Sequence, residues 1–165
     1  MKKLILLFGI FLFGMQSSFS QDGDFILGVN VGLPVGDVED ISNFNVGADI
    51  GYLFGLAEIV KVGPTAGYMH FFGADGDDEG VEWEVDDFQF IPVGAAGRVD
   101  LGFLVVGLDL GYAIGVNDGN DGGFFYRPKA GFSLAMLNII ASYTNINVED
   151  NFSVGTFNVG LEFGL

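Results

Sequence analysis

The chain has 165 residues, half of them hydrophobic, with 27 glycines, no cysteine and a formal net charge of -16. So apolar a composition excludes a disordered acidic chain, and so acidic a one excludes nucleic acid as an expected partner. Without cysteine there is neither a disulfide framework nor a thiol for a lipid anchor, and the length predicts a single folded domain.

The first segment, MKKLILLFGIFLFGMQSSFS, has Lys2 and Lys3, an apolar run from Leu4 to Met15, and Ser18 and Ser20 before Gln21. That pattern predicts a secretory signal peptide over 1-20, with a barrel domain over 21-165. Its removal takes two of the six basic residues and none of the acids, so the mature chain is more acidic still. No later apolar run reaches the roughly 20 residues a spanning helix needs. If the mature chain enters a membrane, it does so as strands.

Strands are predicted at about 24-33, 43-54, 60-72, 87-99, 103-116, 123-135, 137-147 and 153-165, near the ~9-11 residues of a tilted transmembrane strand. Eight is an even number, as closure of an antiparallel barrel demands. Connections after the second, fourth and sixth strands are tight: GLAEI, VDLG and AMLN. Those after the first, third, fifth and seventh are longer or more polar: PVGDVEDIS, GADGDDEGVEWEVD, VNDGNDG and NVEDNF. Short turns at one end and longer loops at the other predict an all-β, eight-stranded, up-and-down transmembrane β-barrel with both termini on the periplasmic side.

Alternation within the strands separates two faces. In FNVGADIGYLFG, residues 44-55, Phe44, Val46, Ala48, Ile50, Tyr52 and Phe54 share one parity, and Asp49 falls on the other with Gly47 and Gly51. Assigning the apolar parity of every strand to lipid places Lys61, Arg98, Arg127 and Lys129 in the lumen, with Asp49, Asp100, Asp109 and Glu162. Arg or Lys on the lipid face costs ~2-4 kcal/mol at the bilayer midplane, which accounts for the segregation. The expected lumenal charge network is therefore Asp49, Lys61, Arg98, Asp109, Arg127, Lys129 and Glu162. Asp109 and Lys129 are expected to meet across one hairpin, and Lys61, Arg98 and Glu162 to form a second cluster nearer the turns. Tyr52, Tyr68, Tyr112, Tyr126 and Tyr143 take the lipid parity, as an aromatic girdle requires. The glycine pairs Gly28/Gly32, Gly47/Gly51, Gly63/Gly67 and Gly107/Gly111 take the lumenal parity, where small residues leave room for long charged ones.

The strands GADIGYLFG, VGPTAGYMHF, VVGLDLGYAIGV and RPKAGFSLAM, the signal segment and the closing FNVGLEFGL resemble the small eight-stranded outer-membrane β-barrel proteins of the porin-like superfamily. The resemblance implies residence in the outer membrane of a Gram-negative bacterium among lipid and lipopolysaccharide. It also implies assembly by the barrel-assembly machinery, which reads a closing strand of this kind, although Leu165 stands where the usual terminal residue is aromatic. A monomer is expected.

Among residues that could carry chemistry, His70 is the one histidine, on the lipid parity and without an evident partner. An interfacial ring is expected there rather than a catalytic dyad with Asp75 or Asp77, and no catalytic residue or cofactor is expected. The segment 75-87 holds eight acids, of which Asp75, Asp77, Asp78 and Glu79 offer a weak calcium or magnesium site, weighed against a plain solvated loop. Trp83 lies in the same segment. The function expected is structural or interactive at the cell surface, with acidic loops and a charge-plugged lumen. A narrow passage for small solutes is the alternative, followed by a rim enzyme acting on lipid or peptide.

Overall fold

Two-residue alternation needs an antiparallel partner on each side of every strand, and the chain satisfies this by closing on itself. The computed structural model describes residues 23-78, 81-117, 120-148 and 152-165, and the side chains of residues 75-84 are not among those described. The predicted signal peptide lies outside the described residues. The strands are β1 (Asp24–Val35), β2 (Ser42–Ala57), β3 (Val60–Gly73), β4 (Asp75–Asp78), β5 (Val81–Glu84), β6 (Phe88–Asp100), β7 (Leu104–Gly115), β8 (Gly123–Leu134), β9 (Leu137–Val148) and β10 (Ser153–Gly164). Eight of them form a closed barrel in the order β1-β10-β9-β8-β7-β6-β3-β2, with every neighbouring pair antiparallel. Among the described residues no helix is long and apolar enough to cross a membrane, and strands are the spanning elements of such a barrel.

The eight barrel strands fall within one to three residues of the predicted boundaries. The segment between β3 and β6 differs, because 75-84 is a hairpin, β4 with β5, that stands outside the barrel as a two-stranded sheet. Its register sets Asp75 opposite Glu84 and Asp77 opposite Glu82. Ala74 bonds Ile41 through its N–H (3.0 Å) and Val85 through its carbonyl (3.1 Å), which ties the hairpin base to the first loop.

The barrel has a loop end, where β1-β2, β3-β6, β7-β8 and β9-β10 connect, and a turn end holding the other three connections, the start of β1 and the end of β10. Two of the three turns at the turn end reverse through positive backbone φ, at Gly102 (84°) and at Ala135 (59°), the latter a left-handed position that a residue with a Cβ occupies at some cost. The outward parity is apolar round the wall. Leu27, Val29, Val31 and Leu33 on β1, Leu108, Leu110 and Ile114 on β7, and Phe157, Val159 and Leu161 on β10 are all exposed. A continuous belt of this kind is anomalous in water and expected in hydrocarbon. The buried set is inside the cylinder.

The belt carries a direct expectation. The folded protein should require detergent for extraction and should migrate differently on denaturing gels before and after heating. Recovery as a detergent-free soluble monomer would contradict it.

Candidate functional site

Inward positions of an eight-stranded barrel leave an interior just wide enough for side chains, so each lumenal group must find its partner from another strand. Asp109 on β7 lies at the centre. It accepts Arg98 Nη1 at 2.6 Å and pairs with Lys129 Nζ at 2.9 Å, with Arg127 Nη1 at 4.0 Å. Register explains the geometry: Gly107 is opposite both Arg98 and Lys129, so the two cations flank the row one step toward the turns and converge diagonally on Asp109. A Cβ on Gly107 would meet Arg98 Cδ at 2.7 Å, so the glycine is the space that the arginine occupies.

Glu162 on β10 extends the cluster, accepting Arg98 Nη2 at 3.1 Å and lying 3.6 Å from Lys129 Nζ. Arg127 donates to Asp49 Oδ1 at 2.7 Å and to Thr144 Oγ1 at 2.9 Å, and Asn30 Nδ2 donates to the other Asp49 oxygen at 3.1 Å. Three cations thus face three carboxylates, and Arg98 and Asp109 are only 3% and 1% exposed. Charges so deeply buried persist only when paired and hydrogen-bonded. The cavity left among Asn30, Asp49, Arg127, Lys129, Ser142 and Glu162 is about 20 Å³, about the space of one water molecule.

Lys61 is not part of this cluster. It pairs with Asp24 at 2.7 Å and Asp100 at 2.9 Å at the turn-end rim, half-exposed, while Arg98, its register partner, turns toward Asp109 and Glu162. The apolar trio Ile26, Leu53 and Ala96 is a separate buried group. On the loop side of the charges, Asn45 donates to Asn158 (2.9 Å) and accepts from Thr156 (2.5 Å), and Asn158 reaches Thr144 (3.4 Å). Beyond them Met69, Phe71, Phe90, Phe125, Ile146 and Val154 close the lumen with Val38, which the first loop folds inward. The Asn and Thr layer escaped the sequence reading because uncharged residues on an inward parity do not stand out.

Above this apolar floor the loop end opens as a cup of about 1010 Å³. Its lining is apolar at Phe88, Phe90, Val148, Phe152 and Val154 and polar at Asp86, Asp87, Asn117 and Asn120. The asparagines of the NDGNDGG segment are structural: Asn117 accepts the Gln89 N–H at 2.7 Å and donates to the Asp87 carbonyl at 3.2 Å, and Asn120 donates to the Gln89 carbonyl at 3.1 Å. Asp37 likewise accepts the Ser153 N–H (3.0 Å) and hydroxyl (3.2 Å), joining the first loop to the last strand.

His70 lies outside the lumen, as its parity requires, but it has partners. Its Nε2 is 2.9 Å from Asp87 Oδ2 and its Nδ1 3.2 Å from the Tyr68 hydroxyl, and the other Asp87 oxygen accepts the Gly73 N–H at 2.9 Å. The expectation of no evident partner does not hold: Asp87 pairs with His70, because the hairpin brings residue 87 back beside the end of β3. The Gly73 N–H and the His70 ring hold the Asp87 carboxyl below the usual carboxylate range. Of the tyrosines, Tyr52, Tyr68 and Tyr112 are exposed on the outer wall, and Tyr126 and Tyr143 are half-buried with rings 6.3 Å apart. Glu79 and the side chains of Asp75, Asp77 and Asp78 lie outside the described residues. Among the described residues no cluster of three or more His, Asp or Glu has the arrangement of a metal site.

No protein-family model matches the chain, and no curated protein does. Solved structures do. The chain is similar to Ail, the attachment invasion locus protein of Yersinia pestis, with a TM-score of 0.57 at 15% identity over 89% of this chain and 100% of that one. The same protein in complex with the heparin analogue sucrose octasulfate gives 0.52 at 14% over 89% of this chain and 100% of that one. A transmembrane β-barrel designed de novo gives 0.55 at 13% over 90% of this chain and 100% of that one. These likenesses are of fold: a closed, eight-stranded, antiparallel transmembrane barrel.

Two outcomes follow from the geometry. Asp109→Ala leaves Arg98 and Lys129 sharing Glu162 and should cost about 3-5 kcal/mol in reversible unfolding, whereas Lys129→Ala leaves Asp109 its bond from Arg98 and should cost less. Equal, small losses would contradict a cluster centred on Asp109. The second concerns Asp87, whose depressed pKa contributes stability above the ordinary carboxylate pKa that is lost as pH falls through the lower folded value. Proteolysis within 75-84 should therefore rise on strong acidification, and Asp87→Asn should show the same rise at neutral pH.

Proposed function

We propose that this protein is an integral outer-membrane barrel that stays closed to solutes and presents its loop end as an acidic contact surface, both termini lying in the periplasm. The observation that carries the reading is the division of charge. The lumenal cations are matched by lumenal acids, while the loop-end connections carry Asp37, Glu39, Asp40, Asp86, Asp87 and Asp121, and by sequence the acids of 75-84, Asp118, Glu149 and Asp150, without a single Lys or Arg.

Charge of one sign above an apolar-walled cup suits a basic partner with apolar or aromatic side chains. A cationic partner also relieves the hairpin register that sets acid opposite acid. Ail was solved with a polysulfated heparin analogue, an anion. The loop end of this chain has the opposite preference, so shared architecture supports a shared surface role with a different ligand charge. The filled lumen favours this role over passage of solutes, and the contacts of His70 are those of a loop anchor rather than of a catalytic base. Lipopolysaccharide remains the surrounding lipid in this reading.

The test is binding to the purified protein in nanodiscs. A basic, aromatic-containing peptide should bind with an affinity that falls steeply with salt, sucrose octasulfate should not bind, and planar bilayers should show little conductance. Preferential binding of the sulfated sugar, or steady conduction through a wide pore, would overturn the proposal.

A further inference from the structure

The turn end is apolar to its tips. Among residues 56-59, 101-103 and 135-136 the one charged side chain is Glu58, and the rest include Leu56, Ile59, Leu101, Phe103 and Met136. These side chains are exposed, Phe103 by 72% and Met136 by 68%, as is the final Leu165 by 69%. Water is a poor solvent for so many apolar tips at one end of a small barrel. They also continue the outward belt without a polar break: Phe54 leads to Leu56, Leu134 to Met136, Val99 to Leu101 and Phe163 to Leu165.

A second, independent feature concerns the backbone. Chain reversals are normally kept out of lipid because they leave polar groups unpaired. Here each turn offers a tip carbonyl to the next strand round the barrel: Ile59 to the Asp100 N–H at 2.8 Å, Phe103 to the Ser133 N–H at 2.9 Å, and Met136 to the Gly164 N–H at 2.9 Å. The chain end closes the ring, with Leu165 and Phe25 exchanging both bonds at 2.8 and 3.1 Å. Lys61 pairs with both Asp24 and Asp100 at the rim beside this ring, leaving one net negative charge there.

We propose that the turn end is immersed in the bilayer, its three turns and Leu165 seated at the glycerol level of the facing leaflet rather than in periplasmic water. The occupant of the apolar tips is lipid, because the tips are continuous with the lipid belt and four of the five tyrosines that mark a membrane-water boundary sit toward the loop end, leaving Tyr52 alone near the turns. Glu58 fixes the depth at the headgroups, where a carboxylate still meets water. The inference rests on the transmembrane reading above and adds the height at which the barrel sits.

The experiment uses the full-length mature protein in nanodiscs, with the native tryptophan removed as Trp83→Phe and a single tryptophan placed by Met136→Trp, by Phe103→Trp or, as a control inside the belt just above the turns, by Val106→Trp. Retained heat-modifiable mobility checks folding of each variant, and the two turn variants stand in for one another. Emission from positions 136 and 103 should be blue-shifted, quenched by lipids brominated near the glycerol and little affected by aqueous iodide, while position 106 responds to bromine placed further down the acyl chains. Red-shifted, iodide-quenched emission at both turns, with position 106 still quenched by brominated lipid, would overturn the inference and leave the membrane reading intact. Shielding from iodide without quenching by any brominated lipid would mean that a second copy covers the turns, and would also overturn it. Failure of brominated lipid to quench position 106 would remove the membrane reading itself and the inference with it.

Discussion

Everything in this molecule depends on closing the hydrogen-bond ladder. A sheet edge in hydrocarbon leaves a row of N–H and C=O groups with no partner, each costing several kcal/mol, and the chain avoids this by pairing β1 with β10 over ten residues. Closure fixes the circumference, and the circumference fixes how much side chain the lumen can take. Large groups therefore alternate with glycines: Gly32 beside Asn158 and Asn45, Gly47 beside Asn30, Gly67 beside Asp49, Gly107 beside Arg98. The glycines that make the chain look unsuited to a core are the reason that a core of charges fits.

The charges follow the dielectric of their surroundings. In the low-dielectric lumen acids and bases occur in equal number and within bonding distance, since an unmatched ion there is intolerable. At the loop end, where water solvates each carboxylate, the acids accumulate without counter-charges. Most of the net charge of the chain therefore lies in its loops, while the barrel proper is close to electrically balanced.

How much of this was legible depends on whether a feature is local. The strands were, because period-two alternation survives inside each one, and so was the inward parity of Arg98, Arg127 and Lys129. The partition of the cations was not: Lys61 and Arg98 are register partners, yet one turns to the rim and the other to Asp109, a choice set by the space beside Gly107 on a third strand. The β4-β5 hairpin was hidden because β4 is DGDD, with no apolar residue, and β5 is only four residues long, although Val81 and Trp83 alternate there with Glu82 and Glu84. Asp87 was hidden as the partner of His70 because the two lie 17 residues apart across that hairpin. The apolar turns were in plain sight as GLAEI, VDLG and AMLN; what sequence could not supply was the register that lends their carbonyls to neighbouring strands.

The seam between the first and last strands also governs time. Ile26 pairs with Gly164, so the bond that closes the cylinder joins residues at opposite ends of the described chain; Arg98 and Asp109 are only 11 positions apart, but Arg98 and Glu162 are 64 apart, Arg127 and Asp49 78, and Asn45 and Asn158 113. A partly made barrel can therefore neither bury its charges nor seal its edges, and little is gained from the first seven strands until the eighth arrives. Folding dominated by such distant contacts is slow, and its half-made forms expose strand edges that invite aggregation. Closure is thus a single late event, and until it happens the N–H and C=O groups of β1 and β10 that face each other across the seam have no partner within the chain.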